Sequence, residues 1–177
     1  MKKALVLILA AAFFLGACAS TQQENSASQK DVGAPNPFHS FKRLDEAEKK
    51  AGFKFNLLDV FESYTIQAYR VIPKKLFEAV YDSESGDEIR IRKAPGKDDP
   101  SGDYNVYAEK SSQKIKGIEA TFFATGNKCG KVVWHSDGYS YSLTSQDKVS
   151  IDRALKTVTK VIEMNQAQVV TDARNER

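Results

Sequence analysis

Asp137-Gly138 constrains the fold of this chain more than any other pair of neighbouring residues. Both central positions of a type I′ turn need positive φ, which Gly adopts freely and Asp tolerates, and the turn's twist matches that of two antiparallel strands. The flanking residues alternate as strands do. A two-residue loop sets Ser136 opposite Tyr139, Trp134 opposite Tyr141 and Val132 opposite Leu143. Val132, Trp134, Tyr139, Tyr141 and Leu143 then share one face, expected to line the core. His135, Ser140 and Ser142 share the other with Val133, and that face is expected to meet solvent.

Other runs extend the sheet. Tyr64–Ile72, Leu76–Tyr81, Glu88–Arg92, Tyr104–Glu109 and Ile115–Thr125 alternate or are rich in β-formers, which predicts about six or seven strands in all. Two segments carry helical spacing instead. Leu44, Ala47 and Ala51 recur on one face, acids lead and lysines close the segment, and Gly52 stands where a helix stops. Ser150 is a natural N-cap for a longer helix from Ile151 to about Met164, with Ile151, Leu155, Val158 and Ile162 as its apolar stripe. The fold class is therefore α+β: a single domain, mainly antiparallel sheet, with a short N-terminal helix and a longer C-terminal helix on one face. That domain is expected over 38–164, with residues 165–177 a polar tail.

The N-terminus has a different character. Met1-Lys2-Lys3 precedes an apolar run, Ala4–Leu15, that falls short of the about 20 residues needed to span a bilayer. A cationic start, a short apolar stretch and small residues after it describe a secretory signal. Leu15-Gly16-Ala17-Cys18 resembles the lipobox of bacterial lipoproteins. The resemblance implies removal of 1–17 and attachment of a diacylglyceryl group and palmitate-type chains to Cys18. One acyl chain anchors only marginally, and two or three hold effectively permanently. Ala19, in place of a retention Asp, favours the outer membrane where a cell has one; otherwise the expected location is the extracytoplasmic side of the cell membrane. Residues 18–37 comprise the lipidated Cys and a polar tether ending in Pro35-Asn36-Pro37, reaching roughly 20–25 Å.

Charge narrows the partners. Lys and Arg number 26 against 23 acids, the net charge is +3, and the two signs interleave along the chain. Nucleic acid is not an expected partner, and the domain is expected to be a monomer. Lipidation of Cys18 leaves Cys129 without an intrachain partner, so no disulfide supports the fold. With His39 and His135 as the only histidines and one free thiol, no zinc site is expected, and no cofactor is implied.

Five residues form a candidate ligand or partner surface. Arg90 and Arg92 project from one strand face next to Lys93, and guanidinium forks match carboxylate or phosphate. Cross-strand pairing with Glu78, or with the nearby acidic loop, is the competing use. Asp98, Asp99 and Asp103 gather in that loop, but their spacing lacks the alternate acids, Gly and Glu of an EF-hand. Local bonds to turn N–H groups account for them equally well, and no metal is expected. His135 faces Ser140 across the hairpin, yet no orienting third group and no GxSxG elbow accompany them. No catalytic residues are assigned, and a non-enzyme is expected.

Three stretches together resemble a known family: Asp87-Glu88-Ile89-Arg90-Ile91-Arg92-Lys93-Ala94, then Ser101-Gly102-Asp103-Tyr104-Asn105, then Trp134 with Gly138-Tyr139-Ser140-Tyr141. They are similar to the DUF4367 family, over Leu44 to Ile162. One departure is Asn56-Leu57-Leu58, standing where the family often has Pro. The resemblance implies an extracytoplasmic module with a binding or sensing role at the envelope and an envelope protein as partner. A structural lipoprotein and an uncharacterised hydrolase are the other readings.

Overall fold

The computed structural model describes residues 36–175, with side chains as far as 167. The signal, Cys18 and most of the tether lie outside the described residues. Nine strands and two helices follow in the order β1 (His39–Phe41), α1 (Leu44–Ala51), β2 (Val60–Phe61), β3 (Tyr64–Ile72), β4 (Leu76–Ser83), β5 (Glu88–Pro95), β6 (Glu109–Ile115), β7 (Ile118–Thr125), β8 (Lys128–Ser136), β9 (Tyr139–Ser150) and α2 (Ile151–Asn175). They form one sheet in the order β1-β3-β4-β5-β9-β8-β7-β6, with β2 also paired to β3. Every described pairing is antiparallel. The α+β class is as the sequence predicts; among the described residues the strand count is nine and not six or seven. β1 and β2 are too short to leave a periodic signature. The run through Ile115 is broken by Lys116 and Gly117, both at positive φ.

Asp137-Gly138 does what its chemistry dictates. Both residues have positive φ, and Ser136 pairs with Tyr139, Trp134 with Tyr141 and Val132 with Leu143. Trp134 stacks on Tyr141 at a centroid distance of 5.4 Å. Val132, Trp134, Tyr141 and Leu143 are buried, as are Phe77, Tyr81, Ile89 and Ile91 on neighbouring strands. Both helices cover this face. α1 lies on β3 and β4, and α2 on β8 and β9. Ala47 and Ala51 of α1, and Ala154, Val158, Val161 and Ile162 of α2, close the core.

The helix ends follow from local chemistry. Gly52 is left-handed at the end of α1, its N–H donating to the Glu48 carbonyl at 2.8 Å. The Ser150 hydroxyl accepts the Arg153 N–H at the start of α2. Where the sequence suggests a stop near Met164, α2 continues to Asn175. Two polar side chains hold the turn just past 164: the Asn165 amide donates to the Asn56 and Val161 carbonyls, and the Gln166 amide to that of Lys116. Side chains that read as polar tail tie the helix to the loops beneath it.

Candidate functional site

The opposite face of the sheet departs from the sequence reading. Ser140 and Ser142 are buried instead of facing solvent, while His135 is exposed. What covers them is the connection between β5 and β6. Tyr104–Glu109 reads as a strand, but only Glu109 is in one. Residues 96–108 instead lie over the outer faces of β5, β9 and β8, held there by three anchors, Lys131 buried and Arg92 and Tyr107 partly so.

Arg92 is the first. It pairs with Glu78 across β4–β5, with Nη2 2.6 Å from the carboxylate. Its Nη1 donates to the carbonyls of Pro100 and Ser101. Lys131 is the second. Its ammonium donates to Asp99 at 3.1 Å and to the Asp103 carbonyl at 2.9 Å. Burial pushes the Asp99 carboxyl up, but the Ser101 N–H and hydroxyl and the Lys131 ammonium outweigh it and hold that carboxyl below its usual range. Tyr107 is the third: its hydroxyl donates to Asp103. Burial first, and then that carboxylate, push the phenol upward.

Two glycines make room for this clamp. A Cβ at Gly102 would lie 2.6 Å from Arg92 Nη1, and one at Gly130 2.5 Å from the Tyr107 ring and hydroxyl. Gly130→Ala is therefore expected to lift Tyr107 off β8. Overpacking costs about 1–3 kcal/mol, and the lower end applies because Tyr107 sits in a loop that can shift. Urea denaturation checks the stability, and faster proteolysis near residue 104 would report the released loop.

Strand β9 is irregular beside the clamp. Lys131 pairs with Thr144 and Cys129 with Val149, so Gly130 alone faces four residues, Ser145–Lys148. Such bulges break the ladder and re-aim side chains. Lys148 takes φ +56, unusual for a residue with a Cβ. Ser145 Oγ is buried without a hydrogen-bond partner among the described residues, as is Ser142 Oγ.

Between loop and bulge lies a polar pocket of about 240 Å³. Arg90, Arg92, Asp103, Asn105, Tyr107 and Lys148 are among its walls. So the structure brings together three of the five candidate residues, Arg90, Arg92 and Asp103. Asp98 is exposed and Asp99 is turned to Lys131; neither lines the pocket. Arg92 is engaged by Glu78 and the loop, the competing use that the sequence left open. Arg90 meets Glu88 through Nε and Nη2, and its Nη1 makes no hydrogen bond among the described residues. Lys148 and the bulge carry no recognisable motif. The one available signal was Gly130 together with the polar run Ser145–Lys148, where the apolar alternation of Tyr139, Tyr141 and Leu143 lapses.

A larger groove of about 640 Å³ runs between Leu58–Glu62 and α2. It is apolar, and the rim ammoniums of Lys156 and Lys160 already face Asp152 and Glu163. Nothing converges there to orient a ligand. Cys129 is fully buried, and burial pushes its thiol up to about 11, which makes it inert at neutral pH.

No curated protein and no solved structure matches the chain. One family model does, over residues 61–161, a span that holds the clamp, the bulge and the first three turns of α2. The chain belongs to the DUF4367 family, a domain of unknown function.

Proposed function

We propose that this protein is an extracytoplasmic lipoprotein, anchored to the cell or outer membrane through Cys18, whose folded domain is a non-enzymatic binding or sensing module. The anchor rests on the signal-like Met1–Leu15 stretch and on Leu15-Gly16-Ala17-Cys18. The binding role rests on one observation: the pocket formed where the 96–108 loop is clamped beside the β9 bulge. Buried ion pairs are a poor source of stability, since desolvation offsets their attraction. Here the buried Glu78–Arg92 pair and the half-exposed Asp99–Lys131 pair fix a loop over the sheet, and the pocket beside Arg92 keeps polar groups unengaged. Preorganised polar groups on a rigid frame suit recognition.

Two experiments test the two halves. Cys18→Ala is expected to abolish incorporation of labelled palmitate and to release or stall the chain; persistent labelling would refute the anchor. Pull-down of the full chain from envelope extracts, alongside a small-molecule screen by thermal shift, is expected to return a ligand or partner lost on Arg90→Ala. A hit list unchanged by that substitution would exclude the pocket as the binding site.

A further inference from the structure

We propose that the pocket beside the β9 bulge takes a small oxyanion, a carboxylate or phosphate group, gripped between Arg90 and Lys148; this rests on the binding role proposed above and names its ligand chemistry.

The charges around the pocket do not balance. Five charged residues line it: Glu88, Arg90, Arg92, Asp103 and Lys148. The acids are committed. Glu88 is held by Arg90 at 2.6 Å, and both Asp103 oxygens are in use, one by the Asn105 N–H and one by the Tyr107 hydroxyl. The cations are in excess. Behind the pocket, Glu78 is shared by two guanidiniums, Arg92 at 2.6 Å and Arg70 at 3.3 Å, so one positive charge remains there. Lys148 has no carboxylate partner among the described residues; its ammonium lies 6.0 Å from the Tyr107 ring centroid. Two uncompensated positive charges therefore stand against the single charge of Asp103.

Geometry agrees with charge. Arg90 is pinned by Glu88 along its Nε–Nη2 edge, which leaves Nη1 as a fixed donor. Lys148 holds positive φ at the end of a four-for-one bulge, a strained position of the kind that persists where surrounding structure over-determines it. Tyr107, whose ring faces that ammonium, is fixed by Asp103 and by the absence of a side chain at Gly130. A guanidinium edge and an ammonium across one small pocket match an oxyanion, with the fork giving direction and the ammonium charge.

The test uses the full chain in detergent, at low salt, titrated separately with inorganic phosphate and with succinate. Amide resonances of Asn105, Gln146 and Lys148 are expected to shift saturably with at least one of the two, and the stronger response identifies the group. Raising salt is expected to weaken binding, because these charges are partly exposed and screened. Lys148→Gly is the decisive variant, since Gly accepts the left-handed backbone while removing the ammonium. Its melting temperature is expected to hold or rise, while the oxyanion affinity falls about tenfold or more. Arg90→Gln is expected to act in the same direction. Shifts absent with both anions, or an affinity unchanged in Lys148→Gly, would overturn the oxyanion assignment. An uncharged ligand found in the screen, and still lost on Arg90→Ala, would overturn it while leaving the binding role standing.

Discussion

Glu78→Ala is expected to destabilise the domain by about 3–5 kcal/mol, the cost of leaving a buried charge without its partner. Glu78 is 1% exposed and sits between Arg70 and Arg92. Without it, Arg92 keeps a guanidinium at 12% side-chain exposure facing only the Pro100 and Ser101 carbonyls. Arg70 is 37% exposed and can turn to water, so the cost falls on Arg92. Urea denaturation at neutral pH measures the loss. A second variant separates charge from packing. Glu78→Leu with Arg92→Met replaces the pair by apolar groups of similar reach, a change that is often neutral or better. It is expected to recover most of the stability while leaving the 99–103 loop open to hydrogen exchange, because the loop carbonyls have lost their donor. A double variant as unstable as Glu78→Ala would show that the pair contributes net stability.

Lys93→Met is expected to stabilise the protein by about 2–3 kcal/mol at neutral pH. Lys93 follows Ile89 and Ile91 on the core face of β5 and is 8% exposed. Its ammonium lies 4.3 Å from the Tyr139 ring centroid and donates to the Lys54 carbonyl at 2.6 Å. Burial pulls its pKa down from 10.5 to about 8, although Glu48 and Asp137 oppose the change. Every tenfold loss of proton affinity on folding corresponds to about 1.4 kcal/mol, and the lost carbonyl bond offsets about 1 kcal/mol of the total. Below about pH 8 both folded and unfolded chains carry the proton, so the penalty is full and flat. From there to 10.5 the unfolded chain holds more protons and stability rises with pH, until the penalty is gone. The Cys129 thiol, raised by burial to about 11, titrates in the opposite sense. Subtracting the Lys93→Met curve from that of the parent cancels Cys129 and isolates Lys93. A difference that stays flat across this window would show that the lysine is not the group responsible.

How much of this was legible depended on which physical signal each segment carries. The Asp-Gly turn specifies its own geometry, so the β8–β9 register from the turn as far as Lys131 and Thr144 followed from two residues. α1 and the start of α2 followed from apolar spacing and caps. β6 was hidden because an edge strand exposed on both faces need not alternate: Glu109 through Lys114 are all polar and exposed. Tyr104–Tyr107 misled in the opposite way. Their apolar alternation imitates a strand, yet Tyr104 and Val106 are 95% and 97% exposed, and only Tyr107 turns inward. Lys93 lies on the core face, as a period of two from Ile89 dictates, and not beside Arg90 and Arg92. The pocket was legible in part. Arg90, Arg92 and Asp103 share a stretch of sequence with a visible charge pattern. Lys148 reaches them only through a bulge, and a bulge leaves no periodic trace.

The way the chain enters the domain has a mechanical consequence. β1 joins the sheet through three residue pairs, His39 to Val71, Ser40 to Arg70 and Phe41 to Tyr69, at the edge of β3. In a chain held by its N-terminal end, any pull on the domain loads those few bonds first. β1 is then a fuse: it parts at low force and lengthens the leash by a few residues. The Arg70–Glu78–Arg92 row one strand further in stays intact, and with it the pocket.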